Sequence, residues 1–290
     1  IWNAFRLVKG WQTADIAQPE TAAIATRWFD AMLRTTAREV ADLFKKYRLS
    51  EALMAVYKLF WDEFSSWYLE MVKPAYGQPI DNKTYEQTLS FFDTLLKLLH
   101  PFMPFITEEL WQRIYDRLPG ESIMISPLHT AAPTEDDATL ISHVENVKSI
   151  VAGVRTVRNQ KNIAPKEALT LEVVGGNPEA DFEGVIKKMG NLSAVNTVVQ
   201  KGEGTASFMV GTTEYAVPLG NLIDVEAEIA KQEAELKHLE GFLAGVLKKL
   251  SNERFVANAP TAVVEMERKK QADAESKIAA LKESLAKLKK

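Results

Sequence analysis

The sequence predicts a mainly α-helical protein with three parts: a helical bundle, a small α+β linker domain and a C-terminal antiparallel two-stranded coiled-coil arm. Three observations support this fold class. Apolar residues recur at helical spacing in the first part, the period changes to two after Pro165, and heptad-like stripes fill the last part. We therefore predict domains at residues 1–125, 126–221 and 222–290.

The first domain is predicted to hold four to five helices, because its apolar residues lie three or four positions apart. Breaks between these helices are expected at residues 15–20, near 48–50, at 73–83 and at 100–104, where Pro, Gly and polar residues cluster. The stripes on which this prediction depends are Trp2, Phe5, Leu7 and Val8; Ile24, Trp28 and Met32; and Leu53, Val56, Phe60, Phe64 and Trp67.

The middle domain is predicted to combine helices with a small sheet. A helix is expected over about residues 138–158, and a shorter one over 180–189 that stops at Gly190. Alternating apolar residues predict strands at Leu169–Val173, Val195–Val199, Ser207–Val210 and Tyr215–Pro218.

The arm is predicted from two apolar stripes that repeat about every 3.5 residues and flank a short turn. Such a stripe is stable only when a partner helix covers it, and the short connection makes the neighbouring helix that partner. About 28 residues at ~1.5 Å each give an arm of roughly 40 Å. The stripes are Leu222, Val225, Ile229, Leu236, Leu239, Leu243, Val246 and Leu250, then Val264, Ala274, Ile278, Leu281, Leu285 and Leu288, with polar Glu267 and Gln271.

Composition describes an ordinary folded protein, with 46% hydrophobic and 26% charged residues. The absence of cysteine excludes disulfides and thiolate metal sites and favours the cytoplasm. No apolar run is long enough for a bilayer, so we expect no membrane partner. The net charge of −4 weakens a nucleic-acid role, and we expect no DNA partner. The chain opens at Ile1 inside a helical pattern, which favours a piece of a longer protein.

No catalytic or metal site is predicted. The four histidines are far apart in sequence, and neither a GxxxxGK[ST] nor a GxGxxG stretch occurs. Glu108 and Glu109 are an acid/base candidate, but we favour their reading as acids in the first turn of a helix that starts near Pro104.

Five stretches of this chain carry a family resemblance. Three of them are WNAFR at Trp2–Arg6, FWDEFSSWYLEMVKP at Phe60–Pro74 and HPFMPFITEELWQRI at His100–Ile114, and they resemble the anticodon-binding bundle shared by the valine, isoleucine, leucine and methionine tRNA synthetases. The other two are VRTVRNQKNIAP at Val154–Pro165 and LSNERFVANAP at Leu250–Pro260, and they resemble the valine enzymes in particular. Together the five stretches resemble the C-terminal portion of bacterial valyl-tRNA synthetases. The HIGH-like and KMSKS-like motifs of the family's catalytic domain do not occur in this chain.

The resemblance implies that Asn3 and Arg6 contact the anticodon, with Leu7 on the same stretch where an aromatic can stand in relatives. The alternative is that Asn3 and Arg6 only cap and solvate a bundle helix. Seven aromatic residues are available as an RNA-stacking platform, but their helical spacing favours core packing. These residues are Trp61, Trp67, Tyr68, Phe91, Phe92, Phe102 and Phe105.

The arm tip is implied to reach the tRNA elbow, which the D and T loops form. Its basic residues are Arg254, Arg268, Lys269 and Lys270. Phe255 either stacks on an exposed base or closes the tip as an apolar plug. Arg155 and Arg158 lie three apart on one helix, where they either hold backbone phosphate or are solvated.

The resemblance therefore implies a tRNA-binding fragment of a valine–tRNA ligase with valine-specific tRNA as its partner. The whole enzyme would attach valine to this tRNA with ATP and magnesium, whereas this fragment carries no cofactor and no catalytic residue. We expect a cytoplasmic monomer. The alternative is an adaptor or scaffold module that uses its coiled coil for protein contacts and has no RNA role.

Overall fold

The computed structural model describes residues 1–220, 225–251 and 261–288, and it confirms a mostly helical fold with a small sheet. The chain forms two compact units. The first comprises Ile1–Asn159 and Ala164–Pro218, and the second comprises Gln160–Ile163 and Leu219–Lys290. The boundary predicted between residues 125 and 126 falls inside the first unit and stays a prediction.

The described helices before residue 219 follow the predicted breaks. They are α1 Trp2–Lys9, α2 Glu20–Lys45, α3 Leu49–Lys58, α4 Leu69–Val72, α5 Asn82–Leu99, α6 Pro104–Ile114, α7 Glu135–Gln160 and α8 Glu183–Gly190. Local chemistry explains two of their starts. The Asp81 carboxylate accepts the Thr84 N–H at 2.7 Å and caps α5, and Pro104 occupies the first turn of α6, where no intrahelical N–H is needed.

A π-helical segment, Leu59–Tyr68, joins α3 to α4, where the apolar stripe predicted ordinary α-helix. The hydroxyls of Ser65 and Ser66 donate to the carbonyls five residues earlier, both at 2.9 Å. This wider turn keeps side chains four residues apart on one face, so that Phe60, Phe64 and Tyr68 are all buried.

The bundle core is aromatic. Phe29 lies at its centre, with its ring centroid 5.0 Å from that of Tyr68 and 5.2 Å from those of Phe64 and Phe91. The core prediction is confirmed for Tyr68, Phe91 and Phe92, which are buried. It is wrong for Trp61 and Phe105, which are 55% and 90% exposed, because each lies on the outer face of its helix.

Helix α7 packs against the bundle through buried charges. The guanidinium of Arg34 on α2 donates to both carboxylate oxygens of Asp137, at 2.7 and 3.1 Å. Farther along α7, the Lys148 ammonium pairs with Glu63 and lies 4.9 Å from the ring centroid of Trp28. These long-range contacts hold α7 and the bundle together.

Four strands form a sheet in the order β4-β3-β6-β5. They are β3 Leu169–Val174, β4 Leu192–Val198, β5 Thr205–Val210 and β6 Thr213–Pro218. β3 and β4 are parallel, so α8 crosses between them, whereas β6 runs antiparallel to both β3 and β5. The alternation predicted for β3 is confirmed, since Leu169, Leu171 and Val173 are fully buried.

Two further strands, β1 Thr13–Ala14 and β2 Ile80–Asp81, pair in parallel within the bundle and were not predicted. The helix stop predicted at Gly190 is confirmed, although the left-handed residue that usually accompanies such a stop is a different one. Gly190 is the last residue of α8, and it is Asn191 that takes the left-handed conformation, with φ 51°. Gly190 is buried there, and a Cβ on it would lie 3.1 Å from Leu192 Cγ, so close packing explains this glycine.

The second unit contains two long helices, α9 Val225–Leu250 and α10 Thr261–Leu288. Two ion pairs join them, Lys249 to Glu267 at 3.8 Å and Lys282 to Glu240 at 2.9 Å, in the order expected for opposite chain directions. Residues of the predicted stripes are buried between them, namely Val246, Val264, Ala274 and Ile278. The coiled-coil geometry itself stays a prediction.

Candidate nucleic-acid interface

Helix α1 places one polar face outward. Phe5 and Val8 are buried, and the Phe5 ring meets Phe92 edge-on with centroids 6.2 Å apart. With these two residues turned inward, the helical period puts Asn3, Arg6 and Leu7 on the exposed side. The structure therefore brings the three predicted anticodon residues together.

The polar groups on this face have no internal role among the described residues. Neither the Asn3 amide nor the Arg6 guanidinium makes a side-chain hydrogen bond or ion pair there. An amide that both donates and accepts can read base edges, and a guanidinium can stack on a base or bind phosphate. This face can therefore contact RNA without breaking an existing interaction.

Arg155 and Arg158 have different surroundings although they lie three residues apart on α7. Arg155 is exposed, donates to the Met189 carbonyl at 3.3 Å, and has its guanidinium carbon 5.5 Å from the ring centroid of Trp67. Most of its donors still face solvent. Arg155 thus keeps the chemistry required for binding a phosphate.

Arg158 is buried, with 7% of its surface exposed, so its reading as a solvated side chain is wrong. Its guanidinium donates to four backbone carbonyls that close the turns around β3 and β4, and burial lowers its pKa. The acceptors are Ala164 at 3.2 Å, Glu167 at 2.7 Å, Gly190 at 3.0 Å and Asn191 at 2.8 Å. Binding of a phosphate would break these bonds, so we exclude Arg158 from the proposed interface.

Two cations near Arg155 were not singled out in the sequence. Lys188, on α8, donates from Nζ to the carbonyls of Met71 and Lys73 at 2.6 and 2.8 Å. Lys73 is exposed and pairs with Glu70 at 3.2 Å. No local sequence signal marks this cluster, because Lys73 and Lys188 are 115 residues apart.

On the arm, Arg268 and Lys269 are exposed and have no ion pair among the described residues. Lys270 differs, since it pairs with Glu267 at 2.8 Å and this hydrogen bond lowers the pKa of that carboxyl. Glu267 itself is 6% exposed, between the two helices. Two of the predicted elbow residues are thus available to a ligand; Arg254 and Phe255 lie outside the described residues.

The acid/base alternative has no support in the surroundings of Glu108. This residue lies in the second turn of α6, not the first as expected. Its carboxylate accepts hydrogen bonds from the loop that follows this helix. Burial acts to raise the pKa of Glu108, but hydrogen bonds from Gln112, Ser122 and Ile123 outweigh it and lower this pKa. In the described ranges no cluster of three metal-ligating side chains occurs, and no described helix is long and apolar enough to cross a bilayer.

Two family models match the chain. Residues 26–174, half of the sequence, match the anticodon-binding domain of tRNA ligase. The chain belongs to this family. Residues 224–289 of the chain match the second family model, the valyl tRNA synthetase tRNA binding arm. The resemblance inferred from the sequence is confirmed.

The curated relatives that this chain matches include valine–tRNA ligases. Identity is 69% over 290 residues for the protein of Phocaeicola vulgatus, 65% over 293 for that of Bacteroides thetaiotaomicron and 57% over 289 for that of Porphyromonas gingivalis. These alignments cover 99–100% of the chain and 33% of each relative. The chain spans about a third of the length of the curated relatives it matches.

Proposed function

We propose that this chain is the tRNA-binding part of a valine–tRNA ligase. Its α1 face, which consists of Asn3, Arg6 and Leu7, contacts the anticodon, and Arg268, Lys269 and Lys270 near the arm tip contact the tRNA elbow. The observation that carries the proposal is that two tRNA-binding family models match separate parts of one chain. The exposed polar groups of Arg268 and Lys269, inside the second matched part, support it, as do those of the α1 face, which precedes the first matched part.

The physical role of the chain is to position the tRNA. Two helices paired as an antiparallel coiled-coil arm provide a second binding surface besides that of the bundle. Simultaneous contact with the anticodon and the elbow fixes the orientation of the RNA, so that its acceptor end meets the catalytic part of the enzyme. Valine, ATP and magnesium are used in that part, and the chain works as a monomer in the cytoplasm.

The test is a titration of the chain with valine tRNA, the same tRNA with a swapped anticodon and an unrelated tRNA, at two salt concentrations. Arg6→Ala should lose more affinity for the cognate anticodon than for the swapped one. Arg38→Ala is the matched control, because Arg38 is an exposed arginine that pairs with Asp42 on α2. An equal loss with both tRNAs would reduce Arg6 to a generic charge.

For the arm, Arg268→Ala with Lys269→Ala should weaken binding equally whatever the anticodon. The salt dependence should flatten by about 0.9 in log K per log salt for each phosphate group that the variant no longer neutralises. Lys282→Ala is the control on the same helix, where Lys282 pairs with Glu240. If the unmodified chain does not bind tRNA even at low salt, the proposal is overturned and the adaptor alternative is favoured.

A further inference from the structure

A surface groove of about 300 Å³ lies between α7, the end of α8 and the loop that follows α4. Three of the side chains that line it are cations, namely Lys73, Arg155 and Lys188, and one is an anion, Glu70. Such an excess of positive charge in a concave site attracts an anion.

Two of these cations are held in place by neutral partners. Lys188 donates to the carbonyls of Met71 and Lys73, and Arg155 donates to the carbonyl of Met189 while it lies over the Trp67 ring. A backbone carbonyl orients a charged head without cancelling its charge. The entropy of fixing both side chains is therefore already lost before a ligand binds.

The charge in the groove is poorly balanced within the described residues. Glu70 pairs with Lys73 at 3.2 Å, and both side chains are about half-exposed, so water weakens this pair. Neither Arg155 nor Lys188 has a carboxylate within ion-pair distance among the described residues. Burial lowers the pKa of Lys188, the Glu70 charge opposes this shift, and the Lys73 charge adds a smaller lowering.

The groove adjoins the end of α1. A second depression, of about 350 Å³, is lined by Gly10, Trp11 and Gln12, which follow α1, and by residues 73–78. Both depressions therefore share the segment that starts at Lys73. At their rim the Tyr76 ring is fully exposed, as a side chain on which a base can stack.

We propose that this groove, with Lys73, Arg155 and Lys188, binds the sugar–phosphate backbone of the tRNA anticodon arm. The proposal rests on the proposed function and extends it. In this arrangement the RNA lies along the surface from the α1 face, past the loop that follows α4, to α7. Interactions with the RNA backbone fix its register but read no base. The groove therefore contributes affinity that is the same for every anticodon sequence.

The test combines Arg155→Gln with Lys188→Gln in the full chain and measures affinity for the anticodon-arm hairpin RNA across a salt series. We expect the salt slope to fall by an amount equivalent to about two phosphates, at roughly 0.9 per phosphate, and the affinity at low salt to fall roughly tenfold. Both changes should be the same for the cognate and the swapped anticodon. Lys187→Gln is the control, because Lys187 is adjacent in sequence and pairs with Glu183 at 3.0 Å.

Arg155→Gln alone guards against a folding defect from removal of the two Lys188 hydrogen bonds, and it should lower the slope by the equivalent of about one phosphate. An unchanged slope in a chain that still binds the hairpin overturns the groove and leaves the proposed function intact. An equal fall in affinity for a minihelix of the acceptor and T arms overturns the assignment to the anticodon arm. If the unmodified chain binds no tRNA, both proposals fall.

Discussion

Replacement of Arg158 by alanine should destabilise the first unit severely, while the same change at Arg155 should not. The Arg158 guanidinium donates to four carbonyls at 2.7–3.2 Å from a side chain that is almost fully buried. Its removal leaves these acceptors without donors. Water can enter from the exposed edge and satisfy some of them, so we assume that two stay dry, at about 1–3 kcal/mol each.

The expected cost of Arg158→Ala is thus about 4 kcal/mol, which corresponds to a fall in melting temperature of roughly 8–16 °C for a unit of this size. The stability of Arg158→Lys should lie between that of the parent and that of Arg158→Ala, because one ammonium group cannot reach all four acceptors. Arg155→Ala, on the same helix and exposed, should stay within about 0.5 kcal/mol of the parent.

The assay is urea unfolding followed by circular dichroism, with hydrogen exchange at the amides of β3 and β4 to localise the destabilised segment. Equal stability of Arg155→Ala and Arg158→Ala would falsify the prediction, because it would mean that the four carbonyls are fully hydrated without the guanidinium.

Three further changes test other parts of the fold. Gly153→Ala should destabilise the chain by about 1–3 kcal/mol in urea unfolding, although alanine favours a helix, because its Cβ would overlap the Phe208 ring. Asp137→Asn should weaken the dependence of the free energy of unfolding on pH in the acid range of a stability–pH profile, its acid limb. Its hydrogen bonds with Arg34 lower the pKa of Asp137, so the pair stabilises above about pH 4 and this gain disappears as the pH falls further; an unaltered limb refutes this. Glu267→Leu should raise the melting temperature of the arm helices, measured by circular dichroism at 222 nm. The lysine partners of Glu267 are solvated, so its removal leaves no buried positive charge unpaired. A lower melting temperature would contradict this.

The periodicity of the sequence was sufficient to predict most of the helices and strands. Hydrophobic spacing is a local property, and the residues that interrupt it, such as Pro104 and the polar segment before Asn82, act within one turn of the chain. It correctly predicted that Phe5 and Val8 of α1 are buried, but the same predicted stripe included Trp2 and Leu7, which are exposed.

Periodicity was misleading where a helix departs from regular geometry or ends at the surface. Trp61 was expected in the core, but in the π-helical segment it directly follows the buried Phe60 and lies on the outer face. Phe105 follows Pro104 at the start of α6, where one side has no neighbouring element among the described residues to cover it. Hydrophobic spacing gives the faces of a helix but not the amount of structure that covers each face.

Sequence patterns were enough to predict the helical architecture and the resemblance to tRNA-binding domains, and to suggest the residues that we propose contact RNA. Which cations are free became known only from the folded chain. Arg155 and Arg158 carry the same group on the same helix, yet one remains exposed and the other is bound to carbonyls up to 33 residues away. The physical reason is that the availability of a charge depends on its partners and its burial, and both come from segments distant in sequence.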